Sequence, residues 1–264
     1  MIRQIAIAVA ASALALGLRP AALAAQEEAP EEEEYPRISV TEGHLLAYFT
    51  EAENSPVLVG TLQHFSVWRY GSNFFFADVS GGSELAVRDT DLGVYLEYAP
   101  VLSLQRVGLL PAPGGPLRDI GATVQVNGGW TAGGTPIDRV FLEGVELAWS
   151  VPGFAVLNTQ LLARQERGYH PSWQATWVYD VPFRLGPAVG QVAGFMDVWR
   201  RTGRGEPSTV LVAQPQILVT LGSPEPGQSF FQVGVELEPS HDFPVREARR
   251  GWNLGISPLV RWVF

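Results

Sequence analysis

The sequence predicts an all-β protein: a single antiparallel transmembrane β-barrel of about twelve strands, which follows a cleaved N-terminal signal peptide. The first observation is that apolar and polar residues alternate with a period of two from His44 onward. The second is that no later segment approaches the roughly 20 consecutive apolar residues of a membrane helix. The third is that 28 Gly and 20 Pro favour turns over long helices.

Residues 1–25 have the three parts of a secretory signal peptide. Arg3 gives a basic start, an apolar core follows from Ile5 to Leu18, and small residues at 22–24 suit cleavage. The apolar core is shorter than a membrane span and ends at an Arg-Pro pair, so we predict removal of this segment. An N-terminal anchor helix is the alternative interpretation.

The remaining chain is predicted to be an acidic tail followed by the barrel. Residues 26–43 are expected to be a disordered Glu-rich tail, since blocks of like charge seldom fold. The barrel is expected over residues 44–264, with an even number of strands as closed antiparallel barrels prefer. The twelve proposed strands are residues 44–51, 57–69, 73–80, 91–104, 118–128, 139–149, 154–165, 172–183, 189–200, 209–221, 229–238 and 251–264.

The composition excludes several classes of function. The chain has no cysteine, which removes disulfides, thiolate metal sites and thiol nucleophiles. All 18 basic residues are Arg, and the net charge of −9 disfavours nucleic-acid binding. The four histidines show no metal-ligand spacing, and neither a Gly-x-Ser-x-Gly motif nor a phosphate-binding glycine loop occurs. We therefore expect no enzyme activity, no metal and no cofactor.

The polar member of each alternating pair is predicted to face the barrel interior, because the opposite face must be apolar in lipid. Glu143 is ambiguous, since it shares a face with Phe141 and Trp149. These inward side chains either contact a solute or only satisfy one another's hydrogen bonds, and the sequence leaves both open. The predicted inward residues are His64, Ser66, Asp78, Glu97, Glu146, Asn158, Gln160, Arg164, Gln174, Thr176, Asp180, Gln191, Asp197, Gln214, Gln216, Thr220, Gln232 and Glu236.

The last strand carries the strongest local signal for a membrane barrel. Apolar residues from Trp252 to Phe264 alternate with polar or small ones, and the chain ends in aromatic-x-Phe. This ending resembles the terminal strand that the barrel-assembly machinery recognises. A soluble β-sandwich edge strand is the alternative, although such an edge rarely exposes several aromatic rings. Tryptophans near the proposed strand ends suit aromatic girdles at the interfaces: Trp68, Trp173, Trp177, Trp199, Trp252 and Trp262.

Arginines cluster in the connections that we place outside the cell. We expect them to meet lipopolysaccharide phosphates, because guanidinium groups bind such anions in a bidentate manner. Plain solvated loops are the alternative. The arginines concerned are Arg200, Arg201, Arg204, Arg246, Arg249 and Arg250.

The segment Trp68 to Asp78, preceded by His64, resembles the signature hairpin of the Tsx-like nucleoside-specific channel-forming outer-membrane proteins. Shorter matches follow in order along residues 95–104, 151–154, 173–183, 214–216 and 234–236. The resemblance implies a monomeric barrel of the bacterial outer membrane whose narrow lumen passes nucleosides. It also implies substrate contacts at His64, Phe74, Phe76, Asp78 and Glu97.

We therefore expect an outer-membrane channel for passive diffusion of small solutes, nucleosides in particular. The competing hypothesis is a structural or surface-interaction barrel whose lumen is blocked by its own side chains. A third hypothesis is a barrel enzyme acting on lipids. It is poorly supported because His64 and Ser66 lie two apart on one strand and would project in parallel.

Overall fold

The computed structural model describes residues 38–48, 57–81, 92–131, 134–203, 205–222, 224–225, 227–243 and 251–264. The predicted signal peptide and most of the predicted acidic tail lie outside these residues. The strands are β1 Ser39–Tyr48, β2 Val57–Trp68, β3 Gly71–Ser80, β4 Gly93–Ser103, β5 Leu117–Trp130, β6 Pro136–Trp149, β7 Val156–Glu166, β8 Ser172–Leu185, β9 Ala188–Arg201, β10 Ser208–Ala213, β11 Gln216–Thr220, β12 Phe230–His241 and β13 Trp252–Val263. No helix among the described residues is long and apolar enough to cross a membrane.

The strands form a closed antiparallel meander. From β1 to β9 each strand pairs with the next one in sequence, and the last strand, β13, pairs with both β12 and β1. β10 and β11 both pair with β9 on one side and β12 on the other, so they are two halves of one strand position. The described residues therefore build a barrel of twelve strand positions, which confirms the predicted fold class.

The interruption between β10 and β11 falls at Gln214 and Pro215, inside a segment predicted as one strand, 209–221. Proline lacks the N–H that a central strand donates, so the regular ladder stops there. The flanking backbone is still bonded: Gln214 N donates to Phe195 O at 3.0 Å, and Leu237 N donates to Pro215 O at 3.0 Å. The strand position therefore bends without opening the wall.

Two strand boundaries differ from the prediction in ways that matter for function. β1 begins at Ser39, so residues 39–43 belong to the barrel and not to the predicted tail. Trp68 pairs with Gly71, so the first hairpin turns through two residues, Arg69 and Tyr70, where a loop of three was predicted at 70–72. The one-residue difference in this turn changes which face its strands present.

The two faces of the wall differ in chemistry. On β13, Trp252, Leu254 and Ile256 are exposed on the outer face, while Ser257 and Arg261 are buried on the inner face. Outer-face residues on the other strands are mainly apolar and exposed, as a barrel in lipid requires. Glu143, which the sequence left ambiguous, is an exposed exception on the outer face of β6.

Candidate functional site

The barrel interior is the candidate site, and its lining was largely predicted. Strand register and hydrogen bonds place sixteen of the eighteen predicted residues on the inner face. Phe74 and Phe76 join them, because they alternate with the outward Phe75. The interior therefore combines amides, carboxylates and a few arginines with aromatic rings.

The prediction that His64 and Ser66 face the interior is wrong. Gln63, next to His64, donates a hydrogen bond to the inward Glu42 at 2.6 Å, so His64 lies on the opposite face of β2. The His64 ring instead stacks on the outward Phe75 at a centroid distance of 5.5 Å. Gln63 and His64 are polar residues in succession, so either could be the inward member of the alternation, and the prediction chose His64.

An aromatic and acidic wall forms on β3 and β4. Phe76 lies between Phe74 and Tyr95, with centroid distances of 6.1 and 5.9 Å. The Tyr95 hydroxyl donates to Glu97 at 2.5 Å. Asp78 accepts a hydrogen bond from Thr61 at 2.6 Å. The antiparallel register of β3 and β4, in which Phe76 pairs with Glu97, brings four of the predicted contacts together without His64.

A second group of contacts crosses the closing strands and is centred on Arg261. Its guanidinium donates to Gln232 on β12 and to Glu42 on β1, the latter at 3.3 Å. Glu42 also contacts His44 at 3.1 Å. The sequence missed this group because Glu42 was assigned to the acidic tail, although it shares the alternation of His44.

A third group lies on β7, β8 and β9. Arg164 is buried beside Glu166 at 3.0 Å and lies over the Trp199 ring at 4.5 Å. Arg201 forms an ion pair with Glu166 at 2.5 Å and lies over the Tyr169 ring at 4.6 Å. Trp199 therefore faces inward and is 3% exposed, so its assignment to an outer aromatic girdle is wrong.

The structure also changes the prediction that a cluster of arginines lies in the outer loops. Arg201 belongs to the interior group, so its predicted place in an outer loop is wrong. Arg200 lies on the outer face, where it donates to Thr209 at 3.1 Å. The other arginines of that prediction lie outside the described residues.

Among the residues that the structure describes, acidic side chains outnumber basic ones on the inner face. Among the described residues, hydrogen bonds place Arg164, Arg201 and Arg261 on the inner face, and the register adds Arg184 at the end of β8. The inward carboxylates are Glu42, Asp78, Glu97, Asp119, Glu146, Glu166, Asp180, Asp197, Glu236 and Glu238. A lumen with this balance favours neutral and cationic solutes over anions. No group of three or more metal-ligating side chains occurs among the described residues.

Some inward side chains are completely buried among their neighbours. Glu97 on β4 is within electrostatic range of Asp197 on β9, across the barrel. The inward Leu142 and Leu218 are both 0% exposed, although an open water-filled pore would wet such side chains. Two concavities, of about 440 and 370 Å³, lie on the outer wall. Side chains therefore fill part of the lumen in this conformation.

The comparisons with known proteins add a structural likeness but no family. No family model and no curated protein matches the chain. The chain is similar to a solved structure described as a KdgM porin in complex with disordered oligogalacturonate, with a TM-score of 0.46 and 7% identity. The alignment covers 86% of this chain and 99% of that one. The fold assignment stands on the strand pairing above, and the resemblance to the Tsx-like family stays a prediction.

Proposed function

We propose that this protein is a passive channel of the bacterial outer membrane for small polar solutes. The observation that carries the proposal is the contrast between the faces of one closed wall: apolar and exposed outside, polar and hydrogen-bonded inside. Such a wall suits a barrel in lipid, because its outer face is mainly apolar and its interior offers hydrogen-bonding groups to polar solutes. No cofactor, energy source or catalytic step is part of the proposal.

Nucleosides are the solutes that we propose first. The resemblance of the first hairpin supports them, and so does the wall of Phe74, Phe76 and Tyr95 beside Asp78 and Glu97. Aromatic faces can stack on a base, and the carboxylates can accept hydrogen bonds from ribose hydroxyls or base amines. The excess of inward acids favours a neutral or cationic solute of this kind over a nucleotide.

Two partners of the outer membrane belong to the same proposal. Phe264 at the end of β13 would engage the barrel-assembly machinery, and its ring packs on the outward Trp262 at 4.6 Å. Lipopolysaccharide phosphates would contact the outward Arg200 near the end of β9. We propose that the barrel acts as a monomer, as the resemblance of its first hairpin implies.

Single-channel recording in planar bilayers tests the proposal. The purified protein is expected to conduct ions, and added adenosine is expected to reduce the current by occupying the lumen. Phe76→Ala should weaken this effect of adenosine, whereas the matched control His64→Ala should not, since His64 lies on the outer face. Absence of ion conductance would overturn the channel. Conductance that adenosine leaves unchanged would overturn only the nucleoside, and liposome swelling with sugars and amino acids would then identify the solute.

The second candidate function is a structural or surface-interaction barrel with a blocked lumen. The complete burial of Leu142 and Leu218 favours it, because these side chains fill space that a wide pore would leave open. This function predicts a barrel that folds in the membrane and conducts no ions, whatever solute is added.

A further inference from the structure

Two arginines lie opposite each other on neighbouring strands of the outer wall. Arg139 is the fourth residue of β6, and Arg167 directly follows β7. Val140 pairs with Glu166, and the Arg167 N–H donates to the carbonyl oxygen of Arg139 at 3.0 Å, so the register continues for one more pair. Val140 and Glu166 are buried, whereas both arginines are exposed. The two guanidinium groups therefore start from opposite positions on the same outer face, and we call them the outer arginine pair.

This arrangement is unfavourable for the protein alone. Directly opposite residues on antiparallel strands have Cβ atoms about 5 Å apart, and like charges at such positions repel each other. Neither guanidinium of the pair forms an ion pair or a side-chain hydrogen bond within the described part of the chain. The Glu166 carboxylate is bound by Arg164 and Arg201 on the inner face. The outward Glu143 is four residues from Arg139, roughly 13 Å at about 3.3 Å per residue.

A concavity of about 440 Å³ lies beside the outer arginine pair. Arg139, Gln165 and Arg167 give it polar groups, and Phe141 and Val126 give it an apolar surface. Phe141 pairs with Gln165 on one side and with Val126 on the other, two residues further toward the middle of the wall. The concavity therefore offers cationic donors at one end and an apolar surface beside them.

The outer arginine pair lies at the end of the barrel that we assign to the cell surface. The two-residue turns at 69–70 and 186–187 lie at the same end as Phe264. Short turns belong on the periplasmic side of barrels of this kind. Because neighbouring strands are antiparallel, β6 begins and β7 ends at the opposite end. The concavity therefore faces the outer leaflet near its polar surface.

We propose that this concavity binds lipid A, the phosphorylated glycolipid part of lipopolysaccharide. Its phosphate would lie between Arg139 and Arg167, where both guanidinium groups can donate to it and its charge removes their repulsion. An acyl chain would lie along Phe141 and Val126. The proposal rests on the outer-membrane setting of the proposed function but not on solute conduction, and it names a site separate from Arg200.

Thermal unfolding of the purified protein in a non-ionic detergent tests the site. A ligand that binds only the folded protein raises the midpoint of unfolding. Lipid A with both phosphates should raise it. Lipid A without phosphates, phosphatidylglycerol and inorganic phosphate at the same concentration should raise it less, because each lacks either the anion or the matching glycolipid.

The variant R139Q/R167Q should lose this shift. Native mass spectrometry should show its affinity for lipid A lowered by about a hundredfold, roughly tenfold for each charge-assisted contact that is lost. The matched control is R69Q/R106Q, which removes two exposed arginines at the other end of the barrel and changes the net charge equally. This control should keep the shift and the affinity.

The variant R167E separates ligand binding from a purely structural role of the pair. It places opposite charges at the cross-strand position, so it should raise the unfolding midpoint of the lipid-free protein. The same variant should abolish the shift with lipid A, because the phosphate would then meet a carboxylate. A variant that only disturbed the wall would lower the lipid-free midpoint instead.

Three results would overturn the site. The first is a midpoint that lipid A does not change in the unmodified protein, and the second is a shift that R139Q/R167Q retains. The third is an equal effect of phosphatidylglycerol or inorganic phosphate, which would assign the pair to anions in general. A protein that binds lipid A as expected but conducts no ions would support the site and overturn only the channel, so the two failures are distinguishable.

Discussion

Arg261 is the residue on which the polar contacts of the closing strands depend. It reaches Glu42 on β1 and Gln232 on β12, and so links the first strand to the last two. The Arg261 and Glu42 side chains are 5% and 13% exposed. When one partner of a buried ion pair is removed, the other keeps an uncompensated charge, which costs more than the pair itself contributes.

We predict that Arg261→Met lowers the free energy of unfolding by about 3–5 kcal/mol, the usual cost of a broken buried pair. The double variant Arg261→Met with Glu42→Gln should recover most of this loss, because no charge is then left alone. Urea unfolding followed by tryptophan fluorescence measures both. If the double variant is as unstable as the single one, the guanidinium stabilises the barrel through packing and not through Glu42.

The inward carboxylates should set ion selectivity. Replacing Glu97 and Asp197 together by Gln and Asn removes two inward acids that are close enough to interact electrostatically. We expect the cation-to-anion permeability ratio to fall by roughly tenfold, the lower end of the enrichment that a charged cleft produces. Reversal potentials in a KCl gradient measure the ratio. The control Glu143→Gln removes an acid from the outer face and should leave it unchanged.

At the scale of the elements, the sequence predicted the strands well because each has the same two-residue alternation and ends at Gly, Pro or a polar cluster. The interruption at Pro215 was not predicted, because strand alternation continues across it. Proline marks a missing donor, but the sequence does not tell whether a strand is interrupted there, as between β10 and β11, or pairs past it, as β13 does with β12 at Pro258.

The first hairpin shows why the face of a strand is harder to predict than its position. A three-residue loop at 70–72 pairs Arg69 with Asn73, and this register places His64 on the same face as Asp78. The two-residue turn pairs Trp68 with Gly71 and places Gln63 on that face instead. The inward face was predicted correctly for Asp78 and Glu97 because neither has a polar neighbour in the chain that competes with it for the inward position.

Several glycines inside the strands lie where a neighbouring backbone comes close. A Cβ added at Gly234 would lie 1.9 Å from the carbonyl oxygen of Ile217, whereas one added at Gly60 would have its nearest neighbour at 4.0 Å. We predict that Gly234→Ala destabilises the barrel by about 1–3 kcal/mol, the usual cost of overpacking. Gly60→Ala should behave as the unmodified protein. Heat modifiability on SDS gels compares the two, and equal stability would contradict a steric role for Gly234.

For the whole molecule, the important balance is between a polar interior and the side chains that fill it. The wall alone has room for a lumen, but inward apolar residues pack in three buried clusters: one around Leu259, one around Leu142 and one around Trp199. A channel that conducts through this interior must do so past these side chains. The size of inward apolar residues should therefore control conductance.

We predict that Leu142→Ala increases single-channel conductance, because it removes a fully buried side chain from the inner face. The substitution should lower the free energy of unfolding by about 2–5 kcal/mol, as other large-to-small core changes do. Leu161→Ala is the matched control, since Leu161 is 53% exposed on the outer face and its loss leaves the lumen unchanged. Planar-bilayer recording measures both variants. Equal conductance of the two would show that Leu142 does not lie at the constriction, whereas a folded protein that conducts in neither form would favour the blocked barrel.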